Sequence, residues 1–105
     1  MILVEFFGSE PMIGFRVSGH AGAGVEGEDI VCAAVSSAAY MTANTVTDIL
    51  GITPELDIRD GDMLLRCRTV SDADRCGDLF SGFLLHMVAL SEQYEDYIHV
   101  THSEV

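Results

Sequence analysis

Between Asp29 and Asp48 the chain carries no charged residue, and Gly51 and Pro54 follow close behind. An uncharged run of that length, opened by a capping residue and closed by the two strongest helix stops, predicts one helix over residues 29–50. Such a helix has too little polar surface to stand in water on every side and must be largely buried. Ala33, Ala34, Ala38, Ala39 and Ala43 are small enough to let a sheet or another helix approach closely. The Ser, Thr and Asn residues scattered through it argue against a membrane span. The burial must then come from the rest of the chain.

The rest reads mainly as sheet. Residues 2–7, Ile-Leu-Val-Glu-Phe-Phe, form a strand broken by Gly8-Ser9-Glu10-Pro11. In residues 12–18 Ile13, Phe15 and Val17 alternate with Gly14, Arg16 and Ser18, the pattern of a half-buried strand. Asp60-Gly61 between two alternating runs predicts a hairpin with a type I′ turn. A two-residue turn sets Arg59 opposite Asp62, Ile58 opposite Met63 and Leu56 opposite Leu65, so that the charges match and the apolar pairs share a face. Ser71-Asp72-Ala73-Asp74 opens a second helix, with Leu79, Phe80, Phe83, Leu84, Met87, Leu90 and Tyr94 as its core face. A last strand covers residues 97–101. The order ββαββαβ within 105 residues predicts a single domain, 1–105, of α/β (α+β sandwich) class, with a mixed five-stranded sheet packed with two long helices. Two helices are few for both faces of such a sheet, so the apolar first helix also predicts a homodimer.

The chemistry concentrates at the start of the first helix. With Asp29 as N-cap, Cys32 becomes the third helical residue, where the positive end of the helix favours thiolate over thiol. His20 stands at the end of the second strand, and the intervening loop can fold its imidazole against Cys32, the pairing of an activated nucleophile. Free first-turn N–H groups are then on hand to receive an oxyanion. Asp29 either caps the helix or orients the imidazole. Ser36, one turn after Cys32, either bonds its own helix backbone or faces the site. Gly22, Gly24 and Gly27 give the loop the freedom of a substrate gate. A phosphate cradle is disfavoured, since the chain has no lysine and Glu26, Glu28 and Asp29 would repel the anion.

Rival sites are weaker. Cys67 continues the Met63/Leu65 face and reads as core. Cys76 lies near a helix start, but His86 is ten residues further on, about 15 Å along the helix, too far to serve it as a base. His99 and His102 read as exposed or paired. One His and one Cys across a flexible loop fall short of the three or four ligands zinc wants, so neither a metal nor a cofactor is expected. The acidic residue at Glu5 interrupts any signal-peptide pattern, and three unevenly spaced cysteines are no disulfide framework, which points to the cytoplasm. Seventeen acidic residues against five arginines, for a net charge of −12, disfavour direct contact with nucleic acid and favour a basic partner.

The run from Gly19 to Ser36 resembles the signature of the ribosomal-processing cysteine protease (Prp) family: Gly-His-Ala, a glycine-containing spacer, then Gly-x-Asp-Ile-Val-Cys-Ala-Ala-Val-Ser, with every fixed position present. The resemblance implies a small cytoplasmic bacterial enzyme that removes the N-terminal extension of large-subunit ribosomal protein number twenty-seven, cutting after an aromatic residue. It implies Cys32 as nucleophile and His20 as its histidine partner, with Asp29 and Ser36 as the other polar signature positions. It also implies a basic ribosomal protein as substrate, and it suggests a homodimer. Two other classes stay open on the residues alone. One is an acidic module that binds a basic ribosomal protein without cutting it. The other is a thiol redox enzyme in which Cys32 is oxidised and resolved by Cys67 or Cys76.

Overall fold

The computed structural model describes residues 1–19 and 28–104, with Glu28 and Asp29 as backbone only. Strands β1 (Ile2–Phe7), β2 (Gly14–Ser18), β3 (Glu55–Arg59), β4 (Asp62–Arg66) and β5 (Ile98–Ser103) form one sheet in the order β3-β4-β2-β1-β5. Every pairing is antiparallel except that of β1 with β5, so the sheet is mixed, as expected. Strand alternation gives it one apolar face: Ile2, Val4, Phe6, Phe15, Met63 and Leu65 are buried there. Helices α1 (Glu28–Asn44) and α3 (Gly77–Gln93) share that core through Val31, Val35, Ala39, Phe80, Phe83 and Met87. The Phe15 ring sits 4.7 Å from Phe83 and 5.9 Å from Phe80 between centroids, with Phe6 at 5.5 Å from Phe83.

Three expectations are corrected. The first helix does not bury most of its surface. Val31, Val35, Ala39, Thr42, Ala43 and Val46 are buried, while Ile30, Tyr40, Met41 and Ile49 are exposed. A helix on one side of a sheet turns only a stripe inward, and absence of charge does not change that geometry. Its last turn widens to π-helical geometry over Thr45–Ile49 before Gly51 reverses the chain at φ 66°.

The second helix is two helices, α2 (Val70–Arg75) and α3, broken at Cys76. Thr69 caps α2, its hydroxyl accepting from the Asp72 N–H at 3.0 Å, so the helix starts before Ser71. The break leaves no trace in the pattern because Ala73, Cys76, Phe80, Phe83 and Met87 are all buried and recur at three- and four-residue spacing straight through it. Gly77, a poor helix former, follows the kink, and Arg75 donates to the Leu50 carbonyl oxygen at 2.7 Å, tying α2 to the end of the preceding helical segment.

The hairpin keeps its expected register, with Arg59 opposite Asp62, Ile58 opposite Met63 and Leu56 opposite Leu65. Its turn differs. A type I′ turn needs positive φ at both central residues, and only Gly61 has it, at 71°. The facing charges also bond elsewhere: Arg59 turns to Asp57 at 3.3 Å, and Asp62 takes both Nε and Nη2 of Arg16, at 3.0 and 2.7 Å.

Candidate active site

β2 delivers the chain to one end of the sheet and stops at Ser18. Gly19 then takes φ 95°, and its N–H donates to the Gly61 carbonyl oxygen at 3.0 Å. A Cβ at this position would run into the Met1 carbonyl oxygen. Glycine is therefore required where the chain leaves the sheet. Gly19→Ala is expected to cost about 1–3 kcal/mol, read as a lower midpoint in urea unfolding.

Gly19 lines a cleft whose opposite wall is α1. Cys32, Ser36 and Tyr40 enter it from α1 at one-turn spacing, and Ile58, Gly61, Asp62 and Met63 enter from the hairpin. Cys32 is half-buried there. Ser36 is exposed at the cleft. Thr42, Thr45 and Thr47 bond the carbonyl oxygens of Ala38, Met41 and Ala43, whereas among the described residues the Ser36 hydroxyl makes no such backbone bond. Arg16 holds the carboxyl of Asp62, a lining residue, below its ordinary titration range by hydrogen bond and charge.

His20, Gly22, Gly24 and Gly27 lie outside the described residues, as does the side chain of Asp29. The backbone of Asp29 is described, and it corrects the expected cap: α1 begins at Glu28, so Asp29 stands inside the first turn and Cys32 is the fifth helical residue. Acidic residues near a helix N-terminus favour such an extension through the macrodipole. The change sets Cys32 two residues further from the helix end than expected, about 3 Å along the axis.

Cys67 and Cys76 belong to the core. Their sulfurs lie 3.9 Å apart, with the Cys67 thiol donating, and both residues are buried. Burial, with Cys76 alongside, pushes the Cys67 thiol up to about 12, and burial raises Cys76 as well. Thiolate is the reactive form, so neither sulfur competes with Cys32 at neutral pH. Iodoacetamide is expected to label Cys32 in the folded chain and to reach Cys67 and Cys76 only after unfolding; peptide-mapping mass spectrometry distinguishes the three.

Tyr40 was legible as a cleft residue, two turns from Cys32 on the same helix face. The hairpin wall was not, because it depends on β4 lying beside β2, and strand order is set by the whole sheet.

The family model described as Cysteine protease Prp matches residues 1–99. The ribosomal processing cysteine protease Prp of Bacillus subtilis is 25% identical over 95 residues, covering 86% of this chain and 85% of its own length. The solved Prp protease of Staphylococcus aureus with a substrate peptide superposes with a TM-score of 0.84 at 22% identity, over 97% of this chain and 99% of its own. A Streptococcus mutans protein of solved structure superposes with a TM-score of 0.81 at 26% identity, over 98% and 94% of the two chains.

Proposed function

The chain belongs to the Prp cysteine protease family, and from that premise we propose that it removes the N-terminal extension of large-subunit ribosomal protein number twenty-seven, cutting after an aromatic residue. Cys32 is the nucleophile and His20 its base. The observation that carries this reading is that Cys32 and Gly19 line one cleft. His20 is the residue that follows Gly19 in the chain.

The chemistry then follows in two steps. His20 takes the Cys32 thiol proton as the sulfur attacks the carbonyl carbon, and returns it to the departing amine as the tetrahedral intermediate collapses to a thioester. Water, deprotonated by the same imidazole, releases the acid and restores the thiol. Backbone N–H groups at the start of α1 receive the oxyanion, which requires the substrate carbonyl to lie on the loop side of Cys32. Ser36 contacts the substrate, and Asp29 orients His20 from the first turn. The Staphylococcus aureus relative is known with a covalently linked product peptide, in keeping with an acyl-enzyme route.

Val17, Val35, Ala39 and Met63 give the cleft an apolar wall suited to an aromatic side chain. The net charge of −12 suits a basic ribosomal protein and disfavours nucleic acid. The exposed Ile30, Met41 and Ile49, with Leu85 and Val88 of α3, suit a homodimer in the cytoplasm, which light scattering at micromolar concentration tests. The redox alternative loses its resolving thiols, because Cys67 and Cys76 are buried against each other.

The test is cleavage of a basic peptide carrying an aromatic residue before a small one, mapped by mass spectrometry. Cleavage after the aromatic residue supports the reading. An intact peptide bound without turnover favours the non-catalytic acidic module.

A further inference from the structure

β3 is an outer strand of the sheet, and all five of its residues are exposed. The hydrogen-bond ladder of the sheet shows which of its backbone groups are committed. Gly61 accepts from Gly19, and the Cys67 N–H donates to Ile13, so the odd-numbered residues of β4 bond toward β2. Asp62, Leu64 and Arg66 therefore bond toward β3, where they face Arg59, Asp57 and Glu55. The main-chain N–H and C=O groups of Leu56 and Ile58 point outward, and no described residue bonds to them.

Natural edges are usually blunted by a bulge, an internal proline or a charge turned inward. This one has an unbroken register with β4, no internal proline, and apolar residues at both positions on the covered face. Leu56 and Ile58 are 39% and 44% exposed, on the same face as Met63 and Leu65. Ile58 also lines the cleft that holds Cys32. The open edge is thus continuous with the candidate active site.

We propose that β3 docks the substrate: an extended, basic peptide adds a sixth strand at Leu56 and Ile58 and lays alternate side chains along the cleft beside Cys32. The inference rests on the peptidase reading above. It adds how the chain is held. Main-chain pairing fixes an extended backbone whatever its sequence, and the apolar cleft selects the side chain that enters it. The hairpin's charges choose the partner. Glu55, Asp57, Asp60 and Asp62 outnumber Arg59 and Arg66, so a second copy of this acidic edge is repelled while a basic segment is attracted.

The test uses the full chain carrying Cys32→Ala, with fluorescence anisotropy of a labelled basic peptide that has phenylalanine before glycine. A series of such peptides, each N-methylated at one backbone nitrogen, is compared with the parent. Methylation is expected to weaken binding about tenfold at every second residue and to leave the residues between unaffected, since only alternate N–H groups face β3. Ile58→Pro in the same background should weaken the parent peptide about tenfold without disturbing the ladder, because the N–H it removes faces outward. Equal binding across the methylated series, effects without a period of two, or no binding of the parent overturns the proposal whether or not Ile58→Pro folds. Cleavage by the unmodified enzyme is followed alongside. Loss of cleavage with every peptide sinks the peptidase reading itself, whereas cleavage with methylation-insensitive binding sinks only the docking edge.

Discussion

Replacing Cys32 with alanine is expected to lower kcat/KM for peptide cleavage by more than about a thousandfold, because the covalent route disappears with the sulfur. The fold should survive. Cys32 is half-buried at the cleft and only partly packed against the core, so a small apolar residue is accommodated there. His20→Ala should cost about 10²–10⁴-fold, the range of a lost general base. The double variant should be hardly worse than Cys32→Ala alone, since the imidazole acts through the sulfur. Cleavage kinetics on the three variants, with circular dichroism to verify folding, check all of this. Asp29→Asn separates the two roles of that residue: a purely local helix contact tolerates the amide, whereas an anion that orients imidazolium does not.

The largest expected effect on stability is at Phe15. Its ring is fully buried and faces Phe6, Phe80 and Phe83, and so joins two strands to α3. Truncating such a residue to alanine removes transfer free energy and leaves a cavity, together about 3–5 kcal/mol. A domain of this size holds only about 5–15 kcal/mol in total. Phe15→Ala should therefore lower Tm by at least roughly 12 °C. Calorimetry reads the shift directly. Phe15→Leu keeps most of the volume and should lose much less.

Much of this molecule was legible in its sequence, for reasons that differ from place to place. Strand alternation in β2 announced its buried face, since a period of two leaves each residue one side only. The hairpin register followed from a two-residue turn, whatever its type. Asp60 kept its negative φ because Gly61 alone supplied the left-handed residue that the turn needed. The break at Cys76 escaped notice because the apolar spacing runs through it without interruption. The cleft was half legible. Cys32 and Ser36 declared themselves by residue type and spacing, but Ile58 and Met63 reach the site only through the strand order β3-β4-β2, which depends on contacts distant in sequence.

The central proposal joins the sheet end at Gly19 to the helix at Cys32, which line one cleft: Cys32 is the thiol that reacts there with a peptide. Treating the folded chain with a peptidyl chloromethyl ketone ending in phenylalanine, then mapping the adduct by mass spectrometry, tests it most directly. The account predicts one adduct per chain, on Cys32, formed far more slowly when His20 is alanine. Alkylation of Cys67 or Cys76 in the folded protein, or labelling of Cys32 at a rate that unfolding leaves unchanged, would contradict it.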